Sequence, residues 1–73
     1  MSYFSDKLKE LRKNKNLTQT ELSNIINVKQ GTYSRWENGK LEPTLENIVK
    51  LAKALDTSTD VLLGMTTNED EIK

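Results

Sequence analysis

Cysteine and histidine are both absent from this 73-residue chain, and the two absences exclude much chemistry. Without cysteine no disulfide can form, which is typical of proteins that fold in a reducing compartment. Without either residue the chain lacks the commonest general base, the thiol nucleophile and the usual transition-metal ligands. The three glycines form no phosphate-binding motif. We therefore predict that the protein is not an enzyme and that it needs no metal or other cofactor.

Long apolar runs are also missing, so no segment can cross a membrane, and the N-terminus lacks the apolar core of a signal peptide. We expect a soluble, cytoplasmic protein with no membrane partner. Residues 1–65 are predicted to form a single domain, and residues 66–73 a polar, acidic C-terminal tail. One core of this size gives only a few kcal/mol of stability, so well-packed helices or dimerisation must supply the rest.

Net charge is zero, but charges of opposite sign are separated along the sequence. Residues 1–40 contain eight Lys and Arg against four acids, a net charge of +4. Residues 41–73 contain three Lys against seven acids, a net charge of −4. A basic half beside an acidic half is typical of a protein with one face toward DNA. Ordinary solvated helix faces would give a similar pattern, and charge alone does not separate the two interpretations.

Hydrophobic periodicity predicts an all-α domain of five helices without strands. The first helix covers about residues 3–15. The only proline, Pro43, precedes a fourth helix that is capped by Thr44, and Ser58 caps a short fifth helix that ends at Gly64. The inward-facing residues of the fourth helix are predicted to be Leu45, Ile48, Leu51, Ala52 and Leu55.

Residues 19–39 have the pattern of two short helices joined by a tight turn. Thr18 stands three residues before Glu21, which is the spacing of a capping box. Asn27 lies where the helical rhythm breaks, and asparagine tolerates the left-handed conformation of a sharp turn. The inward-facing residues of the pair are predicted to be Leu22, Ile25, Ile26, Tyr33 and Trp36, with Trp36 as a packing anchor. Together these features predict a helix-turn-helix, a unit that places side chains in the major groove of DNA.

Several short segments carry a family resemblance over nearly the whole chain, from about Phe4 to Gly64. They are Leu17-Thr18-Gln19, Glu21-Leu22-Ser23, Val28, Ser34-Arg35-Trp36-Glu37-Asn38-Gly39-Lys40, Pro43-Thr44-Leu45, Leu51-Ala52-Lys53-Ala54-Leu55, Asp60 and Leu62-Leu63-Gly64. In these segments the chain resembles the DNA-binding domain of the Cro and phage-repressor type, also called the XRE family. The resemblance implies a compact, lambda-repressor-like five-helix bundle that regulates transcription. We expect a repressor that binds a palindromic double-stranded DNA operator as a homodimer, with its third helix in the major groove.

Gln30 is the leading candidate to read a base, because it lies at the N-terminal end of the helix that enters the major groove. Its amide can both donate to adenine and accept from it, and the resemblance implies a base-reading Gln at this position. Arg35 can pair with guanine or clamp a phosphate. Lys29, Gly31 and Ser34 complete the predicted base-reading set. Gly31 either lets the backbone approach a base closely or is a tolerated surface glycine.

Residues that flank the two helices are predicted to hold the DNA backbone. They are Thr18, Gln19, Asn38 and Lys40. Gln19 lies at the start of the second helix, where backbone donors attract a phosphate, and the resemblance implies that its amide also bonds Gln30. Leu41 and Glu42 stand where some relatives carry cations, which weakens the expected phosphate anchoring.

Two further predictions concern the architecture. The resemblance implies a partly buried ion pair between Arg12 and Glu37, which can fix the angle between the first and third helices. The dimer interface is predicted at Leu62, Leu63 and Met65, because they offer more apolar surface than one short helix needs. The alternative is that these residues complete the core of the monomer.

Two other function classes remain open at this point. One is a protein-interaction module, such as an antitoxin that binds a partner protein and regulates its own synthesis. The other is RNA binding, which the sequence disfavours because no exposed aromatic platform is predicted for stacking bases.

Overall fold

The computed structural model describes residues 3–64, which form five α-helices in one bundle. The helices are α1 (Tyr3–Asn14), α2 (Gln19–Ile25), α3 (Gln30–Glu37), α4 (Leu45–Ala54) and α5 (Thr59–Leu63). No strand occurs within residues 3–64, so the all-α, five-helix prediction is confirmed. Met65 of the predicted dimer interface and the predicted tail at residues 66–73 lie outside the described residues. In the described range the longest helix has 12 residues, and none is long and apolar enough to span a bilayer.

Hydroxyl side chains begin three of the helices. Thr18 Oγ1 accepts a hydrogen bond from the Glu21 amide at 3.0 Å, and Glu21 Oε1 accepts from the Thr18 amide at 2.8 Å, which is the predicted capping box. Thr44 and Ser58 accept from the amide three residues later, at 3.2 and 3.1 Å, and so cap α4 and α5 as predicted. These caps satisfy donors that a helix start leaves unpaired, and they fix where each helix begins.

The first four helices end in the same hydrogen-bonded turn. In each, an amide donates to the carbonyl five residues earlier, as Val28 does to Ser23 at 2.9 Å. This turn needs one residue with a left-handed backbone. The residues that adopt it are Asn16, Asn27, Gly39 and Asp56, with φ between 56° and 73°. At Gly39 a Cβ would also lie 3.3 Å from Ser5 Oγ, so the close approach of α1 favours glycine as well.

One hydrophobic core joins the five helices. Its ten buried residues are Leu8, Leu22, Ile26, Tyr33, Trp36, Ile48, Leu51, Ala52, Leu55 and Leu62. Trp36 is 1% exposed, and its ring meets that of Tyr33 edge to face with the centroids 5.8 Å apart. Its indole Nε1 is buried and has no hydrogen-bond partner within the described range. Trp36 therefore acts through packing, as the sequence predicts.

Two of the predicted inward-facing residues lie on the surface instead. Ile25 is 58% exposed and Leu45 is 77% exposed, so both predictions are wrong. α2 has seven residues and buries Leu22 and Ser23, and Ile26 follows just after the helix on the same side as Leu22, which leaves Ile25 on the outer side. Leu45 is the first residue of α4, one turn before the buried Ile48, and at that point the helix extends past the edge of the core.

The predicted dimer residues at the end of α5 are divided between core and surface. Leu62 is fully buried within the single chain, so its prediction as an interface residue is wrong. The physical reason is that α5 has five residues and packs against both α1 and α4, which enclose Leu62. Leu63, in contrast, is 40% exposed and keeps apolar surface that a second molecule could cover.

Replacing Trp36 by alanine tests its role as the packing anchor. We expect Trp36→Ala to lower the free energy of unfolding by about 3–5 kcal/mol, because the deleted ring leaves a cavity in the core. Leu45→Ala is the matched control, since it deletes a large apolar side chain from the surface and is expected to change stability by less than about 0.5 kcal/mol. Urea denaturation followed by circular dichroism measures both. Equal losses for the two variants would contradict this packing.

Candidate nucleic-acid interface

The two sides of α3 differ sharply in burial and polarity. Tyr33, Trp36 and Glu37 are buried and attach the helix to the rest of the bundle. The opposite side consists of exposed or half-buried residues, and we call it the outer face of α3. Its members are Gln30, Gly31, Ser34, Arg35 and Asn38. Residues four apart lie on the same side of a helix, so these five form two adjacent rows that run along α3.

The outer face of α3 brings together most of the predicted base-reading residues. Gln30, Gly31, Ser34 and Arg35 all belong to it, and Lys29 precedes the first turn. Asn38 Nδ2 lies 3.5 Å from Ser34 Oγ, so the C-terminal end of this face is also polar.

Three cations on or next to this face are available to an anion. Lys29 precedes α3, Arg35 lies in its last turn, and Lys40 follows it, and all three are exposed. Among residues 3–64 none of the three takes part in an ion pair. The zero net charge of the chain therefore conceals a local surplus of positive charge, the feature that attracts phosphate.

Gln19 connects the start of α2 to the start of α3. Gln30 Nε2 donates to Gln19 Oε1 at 2.8 Å, which is the contact implied by the family resemblance. Gln19 Nε2 in turn donates to Glu37 Oε1 at 3.0 Å. The second N–H of Gln19 remains for another acceptor, such as the phosphate that the sequence predicts Gln19 to contact. Thr18, the neighbouring phosphate candidate, is exposed, and its oxygen accepts the capping hydrogen bond from Glu21.

Glu37 is the centre of this hydrogen-bond network and is only 3% exposed. Arg12 donates to both of its carboxylate oxygens, from Nε at 2.6 Å and from Nη2 at 3.2 Å. The predicted ion pair between α1 and α3 is therefore present. Tyr33 also donates its hydroxyl to Glu37, and Arg12 Nη1 donates to the Leu17 carbonyl at 2.7 Å. The pair thus anchors the loop before α2 as well as α3.

The network keeps Glu37 ionised despite its burial. Burial alone would raise the pKa of this carboxyl, but the hydrogen bonds from Arg12, Tyr33 and Gln19 outweigh burial and lower the pKa below its usual value. The hydrogen bond to Glu37 likewise raises the pKa of Arg12. For Tyr33, burial first and then the neighbouring carboxylate raise the pKa, so its hydroxyl stays protonated and donates. The cluster therefore consists of one anion surrounded by donors.

Sequence reasoning missed the convergence of Tyr33 and Gln19 on Glu37. Tyr33 was visible only as an apolar position, although its four-residue spacing to Glu37 places both on the inner side of α3. Gln19 is 18 residues from Glu37 along the chain, and no local pattern links the two. Such a contact emerges only when α2 and α3 are packed against each other.

Known proteins share both this sequence pattern and this structure. Residues 8–62 match the family model described as helix-turn-helix. The HTH-type transcriptional regulator AnsR of Bacillus subtilis is 39% identical over 59 residues, which is 81% of this chain and 51% of AnsR. The phage CTXphi transcriptional repressor RstR of Vibrio cholerae is also 39% identical over 59 residues, or 81% of this chain and 53% of RstR. The transcriptional activator BcrR of Enterococcus faecalis is 38% identical over 61 residues, or 84% of this chain and 30% of BcrR. The chain thus spans about half or less of the length of these relatives.

Two solved structures resemble this one over most of their length. The restriction-modification controller protein C.AhdI of Aeromonas hydrophila superposes with a TM-score of 0.78 at 35% identity, covering 82% of this chain and 91% of C.AhdI. The P22 c2 repressor in complex with a synthetic operator superposes with a TM-score of 0.83 at 30% identity, covering 90% of this chain and all of that one. The family model, the sequence relatives and these structures together show that the chain belongs to the helix-turn-helix family of the Cro and phage-repressor type.

Proposed function

We propose that this protein regulates transcription by binding duplex DNA sequence-specifically, with the outer face of α3 in the major groove. The observation that carries the proposal is Gln30, which is exposed at the start of α3 and held in place by Gln19. An α-helix fits the major groove, where an amide can distinguish adenine from the other bases. The proposed role is non-enzymatic, and the proposed compartment is the cytoplasm.

The proposed contacts divide into those that read bases and those that hold phosphates. Gln30, Ser34 and Arg35 face outward along α3 and would reach base edges. Lys29 stands beside them at the start of the helix and would add a base contact there. The proposed phosphate contacts lie at the two ends of the motif and comprise Thr18, Gln19, Asn38 and Lys40. Because phosphate contacts carry no sequence information, the two groups have different experimental signatures.

The proposed direction of regulation is repression. A protein that occupies an operator blocks access to the promoter with no contact beyond those to DNA, which a domain of this size can supply. Both directions occur among the relatives, since RstR is named a repressor and BcrR an activator. A reporter gene under the protein's own operator distinguishes the two, and increased transcription would contradict repression.

We further propose that two copies bind a palindromic operator together. One module reaches few bases, and helix-turn-helix dimers contact two half-sites about 34 Å apart, one turn of the duplex. Leu63 and Leu41 are exposed beside a shallow apolar cavity of about 210 Å³ between the start of α1 and the loop after α3. This surface, rather than the buried Leu62, is the proposed contact between the copies.

Gln30→Ala and Lys40→Ala form a matched pair that tests the two classes of contact. The operator is first found by selection from random duplexes. We expect Gln30→Ala to weaken binding to the selected site by roughly 1–3 kcal/mol and to leave binding to unrelated DNA nearly unchanged. We expect Lys40→Ala to weaken binding to all sequences alike and to reduce the slope of log affinity against log salt by about one.

Fluorescence anisotropy titrations over a series of salt concentrations measure both quantities. Gln30 does not read a base if its replacement weakens binding to all sequences equally. An unchanged salt slope for Lys40→Ala would show that Lys40 does not contact a phosphate. Failure of the wild type to enrich any duplex contradicts the proposed function and favours a protein-interaction module.

Gly31→Ala decides between the two interpretations of that glycine. A Cβ on Gly31 would meet nothing within 4 Å apart from its own helix, so packing in the monomer does not require glycine there. We expect the variant to stabilise the protein by up to about 1 kcal/mol, because alanine is the better helix former. We also expect weaker operator binding, because the added methyl keeps the backbone away from the base edges. Unchanged affinity would identify a tolerated surface glycine.

Leu63→Ser tests the proposed contact between copies. We expect it to reduce the cooperativity of operator binding, because it removes apolar surface from the cavity that Leu41 also lines. Ile25→Ser is the control, since Ile25 is likewise exposed but lies on a different surface. Sedimentation with a palindromic operator and with a single half-site measures the stoichiometry. One molecule per half-site without cooperativity in the wild type would contradict the dimer.

A further inference from the structure

We infer that the buried carboxylate of Glu37 sets the orientation of the Gln30 amide, and thereby the base that Gln30 prefers. The inference rests on the proposed function and adds a positioning residue to it. Glu37 itself is too deeply buried to touch DNA. It acts through Gln19, which stands between Glu37 and Gln30 and bonds to both.

The first step is the link between Glu37 and Gln19. An ionised carboxylate accepts hydrogen bonds and cannot donate them. Gln19 therefore has to turn its NH₂ group toward Glu37 Oε1, which it does at 3.0 Å. Because the two ends of an amide are chemically opposite, this bond fixes Gln19 Oε1 on the far side, where it faces Gln30.

The second step is the link between Gln19 and Gln30. A carbonyl oxygen also only accepts, so Gln30 has to offer its own NH₂ group, and Gln30 Nε2 lies 2.8 Å from Gln19 Oε1. One N–H of Gln30 is occupied by this bond. One N–H donor and the Oε1 acceptor remain for a ligand.

This remaining donor and acceptor select adenine over guanine. In the major groove adenine offers an acceptor at N7 and a donor at N6, which match one N–H and one carbonyl oxygen. Guanine offers two acceptors, N7 and O6, and would require two donors. With its second N–H held by Gln19, Gln30 cannot present two donors at once in this orientation.

Glu37 can fix the orientation of the two glutamine amides because it is itself held by donors from several sides. Arg12 donates to both carboxylate oxygens, and Tyr33 adds a third donor. These partners come from the bundle rather than from DNA, so the amide orientation is set before any DNA is bound. A base contact prepared in this way costs less conformational entropy when it forms.

Glu37→Gln is expected to reverse the orientation of the Gln19 and Gln30 amides. Arg12 Nε and the Tyr33 hydroxyl both donate at the Oε2 position, so the single oxygen of the new amide belongs there. Its NH₂ group then takes the Oε1 position, where it faces Gln19 and displaces the longer hydrogen bond from Arg12 Nη2 at 3.2 Å. Gln19 then has to turn and accept, which presents its own NH₂ group to Gln30. Gln30 turns in response and offers both N–H groups outward. We expect the preference at this position to change from adenine to guanine.

Selection from random duplexes, followed by sequencing, measures the preference at every position of the operator. The position that Gln30 reads is the one at which Gln30→Ala loses its preference. At that position we expect the wild type to favour adenine by roughly 5- to 150-fold, the discrimination that one bidentate pair supplies. We expect Glu37→Gln to favour guanine there and to keep the wild-type preferences elsewhere.

Two further variants distinguish an effect on the orientation of the Gln30 amide from an effect on the stability of the fold. Leu51→Ala removes buried apolar atoms from α4 without touching the network, and it should leave the adenine preference intact while lowering stability. Gln19→Met keeps the length of the side chain but removes the hydrogen bonds that link Glu37 to Gln30. We therefore expect adenine and guanine to be accepted about equally at this position. Gln19 is half-buried at the start of α2, so this variant tests the inference even if Glu37→Gln fails to fold.

The outcomes of the inference and of the proposed function are distinguishable. If the wild type enriches no duplex, both the proposed function and the inference are contradicted. A wild type with a defined site, together with Gln19→Met or folded Glu37→Gln that keeps the full adenine preference, overturns the inference alone. Loss of preference at all positions in a folded Glu37→Gln would also overturn it, because that result indicates a general structural role.

Discussion

The ionised carboxylate of Glu37 is the group on which the arrangement of the first three helices depends. Arg12 reaches it from α1, Gln19 from α2 and Tyr33 from within α3. A buried carboxylate that lost these donors would carry a desolvation penalty of several kcal/mol, so the three helices have to lie where their donors meet it. Because burial offsets much of the attraction, such a pair adds little net stability. Its contribution is to fix how α1 and α3 lie against each other, and the hydrogen bond from Gln19 extends this constraint to α2.

This dependence ties folding to binding and affects how mutational data should be interpreted. Truncating Arg12 or Glu37 to alanine disturbs the bundle and the outer face of α3 together, so DNA binding lost in such a variant would not assign either residue to the interface. Gln30 and Lys40 are exposed and lie outside the core, which makes them cleaner probes of contact. Measuring stability and affinity on the same variant is therefore essential for any residue that bonds Glu37.

Much of the fold follows from local sequence rules, and the misses have identifiable causes. The Thr18 box and the turn at Asn27 were predictable because each depends on residues within a few positions. Ile25 and Leu45 were assigned to the core wrongly, because in a short helix periodicity does not say how far the core extends. Of the site, the outer face of α3 and the family-implied pairs could be predicted. The meeting of Gln19 and Tyr33 at Glu37 could not, since it depends on how whole helices pack.

The hydrogen-bonded turns that end the first four helices have a consequence for folding kinetics. Each turn is closed by a bond between residues five apart, and three helix starts are fixed by bonds between residues three apart. The helix boundaries are therefore set by near neighbours and do not wait for distant parts of the chain to meet. Helical domains dominated by local contacts fold in microseconds to milliseconds. We therefore expect the bundle to refold on this timescale after it opens.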